Sequence, residues 1–206
     1  MKHVKRSTIA TATLIITAAV GLSGCGNDAD PGSMPGMSAT TPAPTTRSTG
    51  EFNDADVAFA SQMIPHHQQA VQMAEMAVRK AETAEVKQLA TAIKAAQDPE
   101  IKQLSGWLTS WGKPVPSPDH GGHDMSMPGM MTEDEMGQLG NATGTMFDRM
   151  WTQMMIKHHQ GAVTMAKTEQ ATGKDTAAIA LAKKIETAQN QEIATMQRLL
   201  GQLPVS

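Results

Sequence analysis

The sequence contains one stretch twice. Residues 63–74 read Met-Ile-Pro-His-His-Gln-Gln-Ala-Val-Gln-Met-Ala, and residues 155–166 read Met-Ile-Lys-His-His-Gln-Gly-Ala-Val-Thr-Met-Ala. The offset of 92 residues extends well beyond the motif: Asp56 maps on Asp148, Phe59 on Trp151, Leu89 on Leu181, Ile93 on Ile185, Gln97 on Gln189, Glu100 on Glu192 and Ile101 on Ile193. No gap is needed, so the chain carries an internal duplication of roughly 50 residues per copy. Any fold proposed for it must contain two equivalent units.

Each copy has the periodicity of helices. At about 100° per residue, Asp56, Phe59, Ala60, Met63, His66, His67, Ala70, Met73, Ala74 and Ala77 share one face. Gln62, Gln68, Gln69, Gln72, Glu75 and Arg79 fall largely on the other. The pattern predicts an amphipathic helix over about residues 54–81, with a kink at Pro65, since proline lacks an N–H and crowds the preceding turn. A second helix is expected from about Thr83 to Trp111, bent or broken at Asp98-Pro99, where Asp98 could cap a fresh start. Residues 112–131 hold four prolines and four glycines and read as a loop in which few side chains could pack. Thr132 and Glu135 fit a capping box, which opens a third helix running to about Ala171. Gly137, Gly140 and Gly144 weaken its beginning, and an irregular stretch is expected at residues 141–144. The fourth spans about residues 176–203. No stretch alternates as a strand does. The expected fold is all-α: a four-helix bundle built from a duplicated helix pair, with repeat 1 at about 54–111 and repeat 2 at about 132–203.

The N-terminus reads as an export signal. Lys2, Lys5 and Arg6 precede an apolar run from Ile9 to Leu22, and Leu22-Ser23-Gly24-Cys25 matches a bacterial lipobox. The run is too short and wrongly flanked for an ordinary membrane span. Residues 1–24 are then a lipoprotein signal peptide and Cys25 a lipidated N-terminus. That would anchor the protein to the outer face of the cytoplasmic membrane. Residues 25–50, rich in Pro, Gly, Ser, Thr and Ala, form an expected disordered tether. Cys25 is the single cysteine, which excludes a disulfide framework and a thiolate cluster. Removing three of the 17 basic residues with the signal leaves 14 against 20 acidic ones, a net charge of −6 that argues against nucleic acid as a partner. Three Trp, three Phe and no Tyr leave little for stacking on bases or sugars.

Histidine and methionine carry the chemical signal. Apart from His3, the histidines lie only at 66 and 67, 158 and 159, and 120 and 123, and methionines cluster around them. Met63 lies three and four residues before His66 and His67, so all three project from neighbouring positions on one helix. Met155, His158 and His159 repeat the arrangement. If the copies pack about a pseudo-two-fold axis, the two His-His pairs could converge. Imidazole with thioether favours Cu(I), and imidazole also accepts Cu(II). Met73 and Met165 could complete the shell or line an entry path. Asp56, Asp148, Gln97, Glu100, Gln189 and Glu192 are candidates to hold the ligand imidazoles by hydrogen bonds, or equally to tie helix to helix. In the inter-repeat loop, His120, His123, Met125, Met127, Met130 and Met131 form a flexible set of soft donors suited to metal capture. Met76, Met136, Met146, Met150 and Met154 read as core filler.

Taken together, Asp56-x-x-Phe59-x-x-x-Met63-Ile-x-His66-His67-x-x-Ala70-x-x-Met73-Ala, its copy at 148–166, and the Gln-x-x-Glu-Ile segments at 97–101 and 189–193 resemble the domain-of-unknown-function 305 family. The resemblance covers about residues 51–204. It implies an exported helical bundle of ferritin-like arrangement, akin to CopM-like periplasmic proteins that bind copper and contribute to copper resistance. Carried over by position, it points to Met63, His66, His67 and Met73, and to Met155, His158, His159 and Met165. Pro65 and the Met-rich loop have no place in the family pattern.

The reading is a lipid-anchored, non-enzymatic copper-binding protein that sequesters or hands on the ion. Methionine and imidazole suit an oxidising compartment. Proton competition is expected to begin near the ordinary histidine pKa of about 6.5. The alternatives are a ferritin-like di-metal oxidase and a metal-free interaction module. The oxidase would need Glu-x-x-His on two helices, which the sequence lacks. A homodimer is compatible with the sequence, which does not name a delivery partner.

Overall fold

The computed structural model describes residues 50–117 and 127–204. The signal peptide, Cys25, most of the tether, and His120, His123 and Met125 lie outside the described residues. The described residues form five helices and no strand: α1 (Asp54–Lys80), α2 (Ala84–Ser110), α3 (Glu133–Asn141), α4 (Gly144–Thr172) and α5 (Thr176–Gln202). The four long helices of the sequence reading are there, with α3 as a short preface to α4. None of the described helices is long and apolar enough to cross a membrane.

Local chemistry sets the ends. Asn53 caps α1 through its side chain, which accepts from the N–H groups of Ala55 and Asp56, while Asp56 returns a bond to the Asn53 N–H. Thr132 and Glu135 form the expected capping box at α3. The chain breaks after Asn141, where Ala142 and Thr143 adopt extended backbone and Gly144 takes φ +59°. That left-handed conformation suits glycine alone, and it separates α3 from α4. α1 continues as one helix through Pro65. α2 likewise runs through Asp98-Pro99 without a break, and Asp98 pairs with Lys94 one turn earlier in place of capping a new start. Buried Ile93 and Gln97 before the proline, and Leu104, Trp107 and Leu108 after it, hold both halves of α2 on one core.

α1 packs along α2 as one antiparallel hairpin and α4 along α5 as the other, and the hairpins meet through α1 and α4. The core falls into two apolar clusters. One holds Phe59, Met63 and Ile64 of α1, Leu104, Trp107 and Leu108 of α2, Ala162 and Met165 of α4, and Leu181 and Ile185 of α5. The other holds Ala70, Met73 and Ala77 of α1, Val86 and Ile93 of α2, Phe147, Trp151 and Met155 of α4, and Ile193 and Met196 of α5. Between them in each of the four long helices comes a buried polar position: His66 and His67, Gln97, His158 and His159, and Gln189. The duplication therefore places a polar layer across the middle of the bundle.

Asp56 and Asp148, considered above as supports for the histidines, have a different role. Asp56 accepts from the backbone N–H groups of Lys174 (3.0 Å) and Asp175 (2.9 Å), in the turn joining α4 to α5. Asp148 accepts from Glu82 (3.0 Å) and Thr83 (2.8 Å), in the turn joining α1 to α2. Each repeat thus closes the hairpin turn of the other. This is the helix-to-helix tie left open by the sequence. Charged acceptors make these strong bonds, and they lock the two hairpins together.

Candidate metal centre

The four motif histidines are buried together in the central layer, each at most 1 % exposed. His66 and His158 face each other across the α1–α4 contact with ring centroids 3.8 Å apart. His67 contacts Glu100 of α2 through Nε2 at 2.7 Å, and His159 contacts Glu192 of α5 through Nε2 at 2.6 Å. His66 Nε2 lies 3.0 Å from the Pro128 carbonyl oxygen. His158 makes a backbone hydrogen bond to His66.

These partners decide the tautomers. A carboxylate or a carbonyl can only accept, so a neutral imidazole must place its single N–H toward it. His66, His67 and His159 then each carry hydrogen on Nε2 and a bare lone pair on Nδ1. All three Nδ1 atoms are buried without a hydrogen-bond partner among the described residues, as is His158 Nε2. In their neutral forms the four rings therefore leave four buried nitrogen lone pairs with no donor opposite among the described residues. Gln97 Oε1 and Gln189 Oε1 are buried acceptors in the same condition. Other unpartnered buried groups lie elsewhere, among them the indole N–H of Trp107 and of Trp111 and Thr83 Oγ1.

Burial is the main reason that His66 stays neutral, and repulsion from His67 adds to it; together they push its pKa down to about 3. Burial first, then repulsion from His66, His159 and His67, holds His158 well below the ordinary range. Protons therefore compete for this pair at lower pH than the unperturbed value near 6.5 would suggest. That corrects the expectation drawn from sequence.

Met63 and Met155 are fully buried and end the two apolar clusters against the layer from opposite sides. Met73 and Met165 sit seven residues past the first histidine of each motif, about 10 Å along the helix axis, so they are two turns removed from the imidazoles. Met165 lines a cavity of about 190 Å³ between α1 and α4, together with Phe59, Gln62, Pro128 and Glu169. Among the described residues, no three His, Cys, Asp or Glu side chains form a ready metal cluster. Thioethers fall outside that set, and the two buried methionines beside the layer are the donors that could join the imidazoles.

The expectation of a loosely packed loop fails at its end. Met127, Met130 and Met131 are buried, Met131 within the core. Three residues that the sequence reading passed over seat this segment. Gln69, placed on the outer face by helical periodicity, is buried and holds Met131 twice, giving from Nε2 to its carbonyl and accepting its N–H at Oε1, both at 2.8 Å. Gly161 leaves room for the Pro128 carbonyl, and Gly129 takes φ +81° against the backbone of α4. One signal was available: Gln69 and Gly161 are the same position of the repeat, and they differ.

A family model described as "Domain of unknown function (DUF305)" matches residues 56–200. Among solved structures, the chain is similar to a DUF305 protein from Streptomyces coelicolor described as secreted, at 35 % identity and TM-score 0.66, over 72 % of this chain and 93 % of that one. It is also similar to CopM in a Cu(II)-bound form, at 37 % identity and TM-score 0.62, over 71 % and 96 % of the two chains. For CopM in a Cu(I)-bound form the identity is 34 % and the TM-score 0.61, over 71 % and 96 %. A comparison with curated proteins found no match.

Proposed function

The chain belongs to the DUF305 family, and on that premise we propose that it is an exported, lipid-anchored protein that binds copper in its central layer. His66, His67, His158 and His159 supply nitrogen, and Met63 and Met155 supply sulfur. The role is to sequester the ion or pass it on, without catalysis. Copper is the cargo. Lipid on Cys25 would keep the bundle at the outer face of the membrane, and the relative described as secreted supports export.

The observation that carries the reading is the set of four buried lone pairs without donors. Leaving a buried acceptor unpaired costs about 1–3 kcal/mol. Four such costs rival the whole stability of an ordinary domain, about 5–15 kcal/mol. A layer kept only to fix helix register would be expected to pair these nitrogens with one another or with hydroxyls. A bound cation would give a partner to each lone pair that it reaches. Glu100 and Glu192 fit the same scheme, because a carboxylate on the far nitrogen fixes the ring and makes the near nitrogen a better donor. Neutral imidazole and thioether favour a soft cation, Cu(I) first and Cu(II) second. CopM, one third identical, has been solved with Cu(I), with Cu(II) and with silver.

The test is an anaerobic Cu(I) titration of the exported form against a colorimetric competitor, beside a variant with His66, His67, His158 and His159 all changed to Ala. The native protein should hold copper tightly and the variant should lose that site while circular dichroism still shows helix. Equal stoichiometry and affinity in the two proteins would reject the assignment.

A further inference from the structure

We propose that residues Met127–Met131 form a removable strap over one imidazole of the layer, and that Gly161 and Gln69 are the positioning residues that seat it. The strap then governs how fast a soft monovalent cation enters and leaves. This rests on the copper reading above.

The four histidines are chemically alike but differently covered. His67 and His159 have matching glutamate partners on α2 and α5. His66 and His158 do not match. His66 turns its Nε2–H to the Pro128 carbonyl of the strap, whereas His158 Nε2 has no partner and its hydrogen bond goes to the backbone of His66. A single strap cannot obey a two-fold axis, and it caps one ring of the facing pair.

The seat admits the strap in one orientation only. A Cβ on Gly161 would stand 1.8 Å from the Pro128 oxygen and 2.9 Å from the Gly129 Cα, both backbone atoms that cannot turn aside. A Cβ on Gly129 would stand 2.6 Å from the Lys157 carbonyl oxygen and 3.0 Å from that of His158. The strap therefore lies with its backbone directly on α4, one turn past His158. The equivalent position on α1 is Gln69, whose amide clamps the next residues of the strap at Met131. One repeat supplies the slot and the other the clamp. Beside Pro128 the α1–α4 groove opens into the cavity lined by Met165, Gln62 and Glu169, so the strap also forms one wall of an approach from solvent.

The experiment measures uptake and release of Ag(I), used as a redox-inert soft cation, by stopped flow on the native protein, Gly161→Ala and Gln69→Ala. Gly140→Ala, where an added Cβ meets no atom within 4 Å, serves as the control. Gly161→Ala should remain helical, because alanine is the better helix former. Both seat variants should exchange the ion at least about tenfold faster with unchanged stoichiometry, while the control follows the native protein. Long-range 1H–15N spectra of the metal-free proteins give a second readout: His66 should be a pure Nε2–H tautomer in the native protein and a mixture in the seat variants. Exchange rates equal to native in both seat variants would overturn the strap as a gate. A fall in stoichiometry would overturn it too, by making the strap a ligand donor. A native protein that takes up no ion would instead overturn the copper reading, and the gate with it.

Discussion

The two repeats agree in the buried central layer and disagree where they meet the rest of the chain. His67 with Glu100 and His159 with Glu192 are the same contact at 2.7 and 2.6 Å. Asp56 and Asp148 each close the opposite hairpin turn. Yet position 69 is Gln where 161 is Gly, position 77 is Ala where 169 is Glu, and position 83 is Thr where 175 is Asp. The last difference shows directly: Asp175 caps α5 through two N–H bonds, whereas Thr83 gives α2 no side-chain cap. The matching positions thus lie in the central layer and the turn locks, and the mismatched ones at the strap and at the helix ends.

The turn locks are the largest test of that comparison. Asp56 receives the N–H groups of Asn53 at 2.6 Å, Lys174 and Asp175, and pairs with Glu169. Burial alone would raise its pKa, but the hydrogen bonds from Glu169 and from these backbone groups outweigh it and hold the carboxyl below its usual range. Asp148 receives two N–H groups. Bonds to a charged acceptor contribute about 1.5–3 kcal/mol each, with less than full additivity. Asp56→Ala should therefore cost about 3 kcal/mol and Asp148→Ala about 2 kcal/mol in urea unfolding at pH 7. Equal losses would mean that the extra bonds at the α4–α5 turn contribute little, and that the locks are as symmetric as the central layer.

A test of the shared chemistry comes next in size. Removing a carboxylate behind a metal-bound imidazole typically lowers affinity by about 10–100-fold. Glu100→Ala and Glu192→Ala should each weaken Cu(I) binding within that range, and by similar factors, since their hydrogen bonds match. Competition titrations of the two variants check it. A large effect from one and none from the other would show that a single repeat holds the ion.

Much of this was legible in the sequence, for a physical reason. Helices announce themselves through side-chain periodicity, so α1, α2 and α5 fall within a residue or so of their expected ends, and the third expected helix, Thr132 to about Ala171, is present but split at residues 142–143 into α3 and α4. The twin His-His motifs, with Glu100 and Glu192 one layer away, were visible because duplication wrote them twice. What was hidden depends on backbone atoms of distant segments. The Pro128 carbonyl reaches His66 across 62 positions, and the N–H groups of Lys174 and Asp175 reach Asp56 across 118 and 119. A backbone amide is the same in every residue, so no residue type marks it as a partner. Gln69 misled for the same reason: glutamine on a helix face reads as solvated until a strap arrives to use both ends of its amide. Mismatches between otherwise matching repeats were the remaining clue, at 69 and 161 for the strap and at 77 and 169 for the turn.

The smallest effect is expected at that last pair. Glu169 is buried beside Asp56, where repeat 1 has only Ala77. Burial first, then the hydrogen bond to Asp56 and the charges of Asp56 and Asp175, push its pKa up to about 8. At neutral pH Glu169 is therefore mostly protonated and gives its O–H to Asp56. Its pKa is about 4.5 when unfolded, so the folded state binds the extra proton between those limits. The stability it contributes is complete below about pH 4.5 and disappears as pH rises through about 8. Glu169→Gln keeps a donor toward Asp56 and removes the titration. The two proteins should have similar stability at pH 5, and the variant should be the more stable at pH 8.5. Urea unfolding of both across that range isolates the difference, because every other titrating group is common to the pair. A difference that stays flat from pH 5 to 8.5 would show that Glu169 ionises like an ordinary surface carboxylate, and that the asymmetry of the turns is one of packing and not of charge.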